Sequence, residues 1–307
     1  MLYLLTAVFC SASITLIFHI SESRGMNRYV VTTANYLVAS LISLAFMLFG
    51  KLPESSCSGA ARAFLKEFPD VMKGSTFSPA GSLGWAVIVG ISAGVLYYLG
   101  FIYLQKAVKE SGVSLAGSFS RMGILVPMIL SVLLWKELPS SLQWAGICLA
   151  LFSILLANID LSRPAGFLSG FQPVLIMLFM IVGLAEFSNK VFQKYGVLEA
   201  KSLFLFFVFT TALLISTWKT VRKGERPRFS NIITGFAVGV PNFFASFFLI
   251  LALSRLQTAV VFPLYSALTI VLISLSGWIL FGEKLKKRER FAVTLTVAAL
   301  VLVNLRS

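Results

Sequence analysis

Ten apolar runs, each about as long as a membrane-crossing helix, dominate the 307-residue chain. They fall at residues 1–20, 29–49, 83–105, 113–135, 142–159, 171–193, 200–218, 231–254, 258–281 and 289–306. A helix needs about 20 apolar residues to cross the hydrocarbon core, and in lipid the backbone must satisfy its own hydrogen bonds. The connections are mostly short, so no separate soluble catalytic domain fits between the runs. Composition agrees: 58% of residues are apolar and 12% charged, against about a quarter charged in a soluble domain. The expected fold is an all-α integral membrane protein of ten transmembrane helices.

The formal net charge of +14 comes from 26 Lys and Arg against 12 Asp and Glu. In a soluble chain it would suggest nucleic acid. Here most basic residues sit between the runs, and no basic stripe is interleaved with stacking aromatics, so no nucleic-acid partner is expected. The odd-numbered connections hold more Lys and Arg than the even-numbered ones, which by the positive-inside rule puts both termini outside. Cys10, Cys57 and Cys148 are widely spaced and form no disulfide framework. Phe9 stands where a lipoprotein signal wants a small residue, so the first run reads as a retained helix. The long connection Lys51–Ala80 reads as an external loop, with a short amphipathic surface helix over Ala60–Met72.

Two related halves emerge from the order of the runs. A shift of 146 lays runs 4 and 5 on runs 9 and 10 without a gap: Ser120 meets Ser266, Glu137 meets Glu283, and Asn158 meets Asn304. Leu134–Leu138 (LWKEL) and Leu280–Leu285 (LFGEKL) close the fourth run of each half alike. Gly90-x-x-x-Gly94 in run 3 matches Gly235-x-x-x-Gly239 in run 8. A shift of 171 sets Thr15, His19 and Glu22 on Glu186, Lys190 and Gln193. The domains are therefore a first repeat over 1–158, a linker over 159–170 and a second repeat over 171–307. Five crossings are an odd number, so the second repeat enters from the opposite side. Such inverted halves are a transporter architecture.

With the Glu-bearing ends Trp135-Lys136-Glu137-Leu138 and Phe281-Gly282-Glu283-Lys284, the whole chain resembles the drug/metabolite transporter superfamily, and within it the EamA type. The resemblance implies a central cavity lined by spans 1, 3, 4, 6, 8 and 9, with spans 5 and 10 more peripheral. It implies export or exchange of small metabolites without nucleotide hydrolysis, and both termini in the cytoplasm, the opposite of the charge-bias reading. Asn35-Tyr36 departs from the family pattern, where many members carry a basic residue early in span 2.

Charged residues inside spanning helices are costly and face a cavity or a partner, so the few here are readable. Run 6 carries Glu186, Asn189, Lys190 and Gln193 at helical spacing, on one face. Glu186 and Lys190 suit an i,i+4 pair, and a carboxylate there also suits proton exchange. Run 1 presents Ser11, Thr15, His19 and Glu22 on a comparable stripe; His19 is the only histidine, the residue type whose unperturbed charge change suits proton coupling. Arg121 lies among Ser114, Ser118 and Ser120 in run 4, and its counterpart is Ala267. Arg cannot shed its charge, so it serves either as a structural tie or as counter-charge to a substrate carboxylate or phosphate. Tyr97, Tyr98, Tyr103, Asn242 and Tyr265 are aromatic and amide candidates for a cavity wall. Pro127, Pro241 and Pro263 mark flex points or static kinks. The GxxxG motifs suit close helix packing, and Glu137 and Glu283 suit loop or gate anchors.

The predicted substrate-binding set is Arg121, Glu186, Lys190, His19, Thr15, Asn189, Tyr98, Asn242 and Tyr265. The chain has no P-loop, no metal-ligand spacing and no nucleophile motif. It is expected to be no enzyme and to take no cofactor. The expected function is secondary active transport of a small polar, anionic or zwitterionic, amino-acid-like metabolite in the plasma membrane. The expected partners are that substrate, the lipid bilayer and protons, and the expected state is a monomer. The alternatives are an exporter of cationic or lipophilic compounds that uses Glu186 as its exchangeable carboxylate, and a membrane scaffold without transport.

Overall fold

Helix ends are set by what the sequence places between the apolar runs. Gly25 (φ +59°) and Gly224 (φ +65°) take the left-handed conformation just after two helices end, which glycine does at no steric cost. Asn27 then starts the next helix, its side chain accepting from the Tyr29 and Val30 amides at 3.0 and 3.3 Å. The computed structural model describes residues 1–50, 57–111, 113–158, 173–225, 227–281 and 287–304. Among them every regular element is helical. The helices are α1 Leu2–Ser23, α2 Arg28–Phe49, α3 Cys57–Val71, α4 Pro79–Ser111, α5 Val113–Met122 and α6 Leu125–Trp135, then α7 Ser141–Asn158, α8 Pro173–Tyr195, α9 Lys201–Arg222, α10 Phe229–Leu253, α11 Thr258–Phe281 and α12 Lys287–Asn304.

Each apolar run lies on a helix, with two differences from expectation. The third run extends to 33 residues as α4, and the fourth is two helices, α5 and α6. Arg28–Phe49, Pro79–Ala107, Pro173–Tyr195, Leu198–Arg222 and Phe229–Leu253 are long and apolar enough to cross a membrane; Leu2–Phe18, Phe119–Trp135, Ser141–Ser153 and Thr258–Ile273 are shorter apolar stretches. The connection helix lies at Cys57–Val71, within a few residues of its expected place. The linker 159–170 and Glu283 lie outside the described residues, as do the side chains of His19, Glu22, Ser114, Ser118, Asn158 and Asn304.

The chain divides into two compact units. Unit 1 comprises Met1–Tyr98 and Ser188–Ser254, and unit 2 comprises Leu99–Phe187 and Arg255–Ser307. Each unit takes helices from both sequence halves, because α4 and α8 run continuously from one unit into the other.

In unit 1, α2 packs on α9 and α10, and α1 packs on α10. The glycine motifs explain how closely. A Cβ at Gly235 would lie 2.5 Å from the Val31 carbonyl oxygen, and one at Gly239 2.7 Å from that of Asn35, so α10 sits backbone-on-backbone against α2. In the same way a Cβ at Gly94 would lie 2.5 Å from the Val208 carbonyl, seating α4 on α9. The helix of the third run thus packs on that of the seventh, and the helix of the eighth on that of the second. The two second spans also meet along an antiparallel polar seam: Lys223 Nζ donates to Tyr29 Oη at 2.6 Å, Thr33 bonds Thr220 at 3.0 Å, and Ser40 bonds Thr210 at 2.7 Å. Fully buried Phe192 and Phe204 stack at 4.5 Å between α8 and α9.

In unit 2, α7 packs on α12 and α11, and α11 on α6. Buried Ser153 and Thr296 share a 2.6 Å hydrogen bond between α7 and α12. Ala107, Ala116, Val174, Leu175 and Leu178 form a buried cluster joining the end of α4, α5 and the start of α8. Lys136, with φ +52°, ends α6 and turns Glu137 so that its carboxylate accepts from the Thr258 amide at 3.2 Å, capping α11.

Candidate functional site

The break between α5 and α6 has a local cause. Pro127 lacks an amide hydrogen, so it cannot donate to the Gly123 carbonyl as a continuous helix requires. That carbonyl accepts instead from the Val126 amide at 3.0 Å. The break is seated on α8 by a second glycine: a Cβ at Gly183 would lie 2.5 Å from the Gly123 carbonyl oxygen, and one at Gly123 3.2 Å from the Gly183 amide nitrogen. Interrupted helices at membrane depth are tolerated where their ends are buried in protein or line a watered cavity. The break also points two half-dipoles at one place, the negative end of α5 and the positive end of α6.

Arg121 lies in the last turn of α5, where a cation suits the helix dipole. Glu186 follows Gly183 by three residues, so the glycine crossing carries its carboxylate to the break. Tyr265 of α11, 7% exposed, and half-buried Glu186 both act electrostatically on half-buried Arg121. Three predicted site residues, far apart in sequence, thus meet in unit 2. The counterpart position, Ala267, is fully buried and carries no charge. α11 also stays continuous past Pro263.

The other predicted residues belong to unit 1. Asn189, fully buried on α8, donates from Nδ2 to the Tyr97 hydroxyl at 3.1 Å, and that hydroxyl shares a 3.4 Å hydrogen bond with Ser246 of α10. The Tyr36 hydroxyl donates to the Tyr97 carbonyl at 3.5 Å. Asn242 donates to the Asn35 side-chain oxygen at 3.0 Å. Lys190, 4% exposed, donates to Gln193 Oε1 at 3.0 Å. Thr15 donates to the Ser11 carbonyl of its own helix at 3.2 Å. Tyr98 is buried, but its neighbour Tyr97 holds the network.

Tyr36 and Ser246 complete the Tyr97 network, Asn35 pairs with Asn242, and all three are absent from the predicted set. Their signal was present as polar groups inside apolar runs. The groove of about 470 Å³ lined by Leu5, Thr6, Phe9, Cys10, Phe244 and Phe248 is apolar, and Thr6 spends its hydroxyl on its own helix backbone. It offers nothing to a polar solute.

The profile of the EamA-like transporter family matches residues 1–159. That of the Small Multidrug Resistance protein matches residues 203–296. Both are consistent with the drug/metabolite transporter superfamily. No curated protein matches the sequence. One solved crystal structure aligns over 99% of this chain and 95% of its own, with a TM-score of 0.68 at 16% identity. At that identity the likeness is one of fold.

Proposed function

The chain belongs to the EamA-like transporter family, whose profile covers just over half of it, and from that premise we propose a secondary active transporter that exports a small polar metabolite, anionic or zwitterionic and amino-acid-like. The transporter works by alternating access, as a monomer in the plasma membrane, and couples export to protons. The observation that carries the reading is the meeting of Arg121, Glu186 and Tyr265 at a broken helix. A substrate carboxylate is received by the Arg121 guanidinium and the positive end of α6, as anionic groups are at half-helix N-termini. Glu186 neutralises Arg121 when no substrate is bound and takes up a proton, or a substrate ammonium, when one is. The reciprocal seating of α4 on α9 and of α10 on α2 supports two inverted five-helix repeats.

The test is mass spectrometry of proteoliposomes preloaded with amino acids, organic acids and organic cations. Wild type, Arg121→Ala and empty vesicles are followed in time. The expected result is selective loss of acidic or zwitterionic compounds, cut by roughly one to two orders of magnitude in Arg121→Ala, since a hydrogen bond to a charged group is worth about 1.5–3 kcal/mol. The match to the multidrug resistance profile favours a second reading, export of cationic or lipophilic compounds on Glu186. Loss of cations alone, unchanged by Arg121→Ala and abolished by Glu186→Gln, would establish it instead.

A further inference from the structure

We propose that α3 is an interfacial helix that docks on anionic phospholipid headgroups through Arg62, Lys66 and Lys73, with Leu65, Phe68 and Met72 in the acyl boundary beneath them. The helix has three faces. One is pinned to the protein: Val71 is 3% exposed, and Phe64 stacks on Phe77 at 5.3 Å, which in turn meets Trp85 at 5.4 Å. On the same side the Glu67 carboxylate accepts from the Ser78 amide at 2.9 Å and the Ser78 hydroxyl at 2.6 Å. These contacts fix the rotation of α3.

The second face then has to point outward. Leu65, Phe68 and Met72, spaced by three and four, share it and are 70%, 39% and 71% exposed. Three large apolar side chains, two on a short helix and Met72 in the turn that prolongs it, are poorly placed in water and well placed in lipid. The third face, beside it, holds Arg62 and Lys66 at helical spacing, with Lys73 in the turn that follows α3, all exposed. Asp70 contacts Lys73 at 3.4 Å, while Glu67 is turned inward, so the outward charge is basic. Ser78 precedes Pro79, the first residue of a stretch long and apolar enough to cross a membrane. Glu67 therefore holds α3 at the level where the bilayer begins. An apolar sector flanked by snorkelling cations at that level matches an anionic membrane surface. The inference does not depend on the identity of the substrate.

The full-length protein, with Cys10→Ala, Cys57→Ser and Cys148→Ala, is spin-labelled at Leu65→Cys, Met72→Cys or Lys66→Cys. It is placed in nanodiscs of phosphatidylcholine with or without phosphatidylglycerol. Labels at Leu65 and Met72 are expected to meet oxygen more readily than a water-soluble nickel chelate, and the label at Lys66 the reverse. Phosphatidylglycerol is expected to deepen the Leu65 label, and Arg62→Gln with Lys73→Gln to erase that response; each basic residue is worth roughly fivefold in affinity for an anionic surface. Nickel-dominated labels at Leu65 and Met72 would overturn the proposal and leave that face to a protein partner. Equal depth with and without phosphatidylglycerol would overturn the choice of anionic lipid.

Discussion

A guanidinium inside an apolar run keeps its charge at any working pH, so whatever surrounds Arg121 must answer that charge permanently. Tyr265 and Glu186 both act electrostatically on it. Removing the carboxylate alone leaves the cation uncompensated, which costs more than removing both partners. We therefore expect Glu186→Gln to lower the melting temperature and Arg121→Gln combined with Glu186→Gln to recover most of it. A double-mutant cycle in thermal unfolding would read a coupling of about 1–3 kcal/mol; strict additivity would show that the two groups do not answer each other. In transport, Glu186→Gln is expected to retain substrate exchange at equal pH and to lose the response to an imposed pH gradient. Both residues were legible in the sequence, because charges in apolar runs are rare enough to be picked out singly. The choice between Tyr97 and Tyr98 was not. Adjacent helical residues differ by about 100° in direction, and only the neighbouring helices decide which hydroxyl reaches Asn189 and Ser246.

Between residues and the whole lies the glycine seat, a device that belongs to pairs of helices. Gly183 on Gly123 brings two backbones together where any side chain would collide with a carbonyl oxygen. Gly183→Val is thus expected to lower the yield of folded protein sharply, whereas Gly59→Ala, whose Cβ would meet nothing within 4 Å, leaves it unchanged in detergent gel filtration. Pro127→Ala acts differently. It restores an amide to the Gly123 carbonyl, lets α5 run toward α6 and weakens the positive end offered to an anion. Substrate exchange is expected to slow while folded yield holds; an unchanged rate would show that the break has no part in transport. The apolar runs announced the helices to within a few residues, apart from the longer α4 and the broken fourth run, since length and hydropathy are local properties. The break was not announced. Pro127 looked no different from Pro241 and Pro263, which sit inside continuous helices. What sets it apart is a glycine four residues earlier and a second glycine on α8, a coincidence that only packing reveals.

At the scale of the molecule, sequence halves and compact units are different divisions. The sequence leads one to expect two related halves, runs 1–5 and 6–10, yet unit 1 is built from Met1–Tyr98 with Ser188–Ser254. The reason lies in the crossings: α10 of the second half fits the backbone of α2, and α4 of the first half fits the backbone of α9, so each half carries the partner surface of the other. An isolated half would expose Gly235 and Gly239, or Gly90 and Gly94, with nothing to fill the groove they leave. It would also take from the hydroxyls of Thr33, Ser40 and Thr210 their partners across the seam. Lipid fills such grooves poorly, because helix association in a bilayer rests on close packing and interhelical hydrogen bonds rather than on a hydrophobic drive. It follows that 1–158 and 171–307, expressed singly, are expected to aggregate or be degraded. Co-expressed as two chains divided within 159–170, they are expected to co-purify as one complex and to regain substrate exchange. Gly235→Leu in the second chain should abolish that co-purification. A half that migrates alone as a monodisperse, heat-stable species would show that the crossings do not hold the halves together, and would return the two repeats to the status of independent domains.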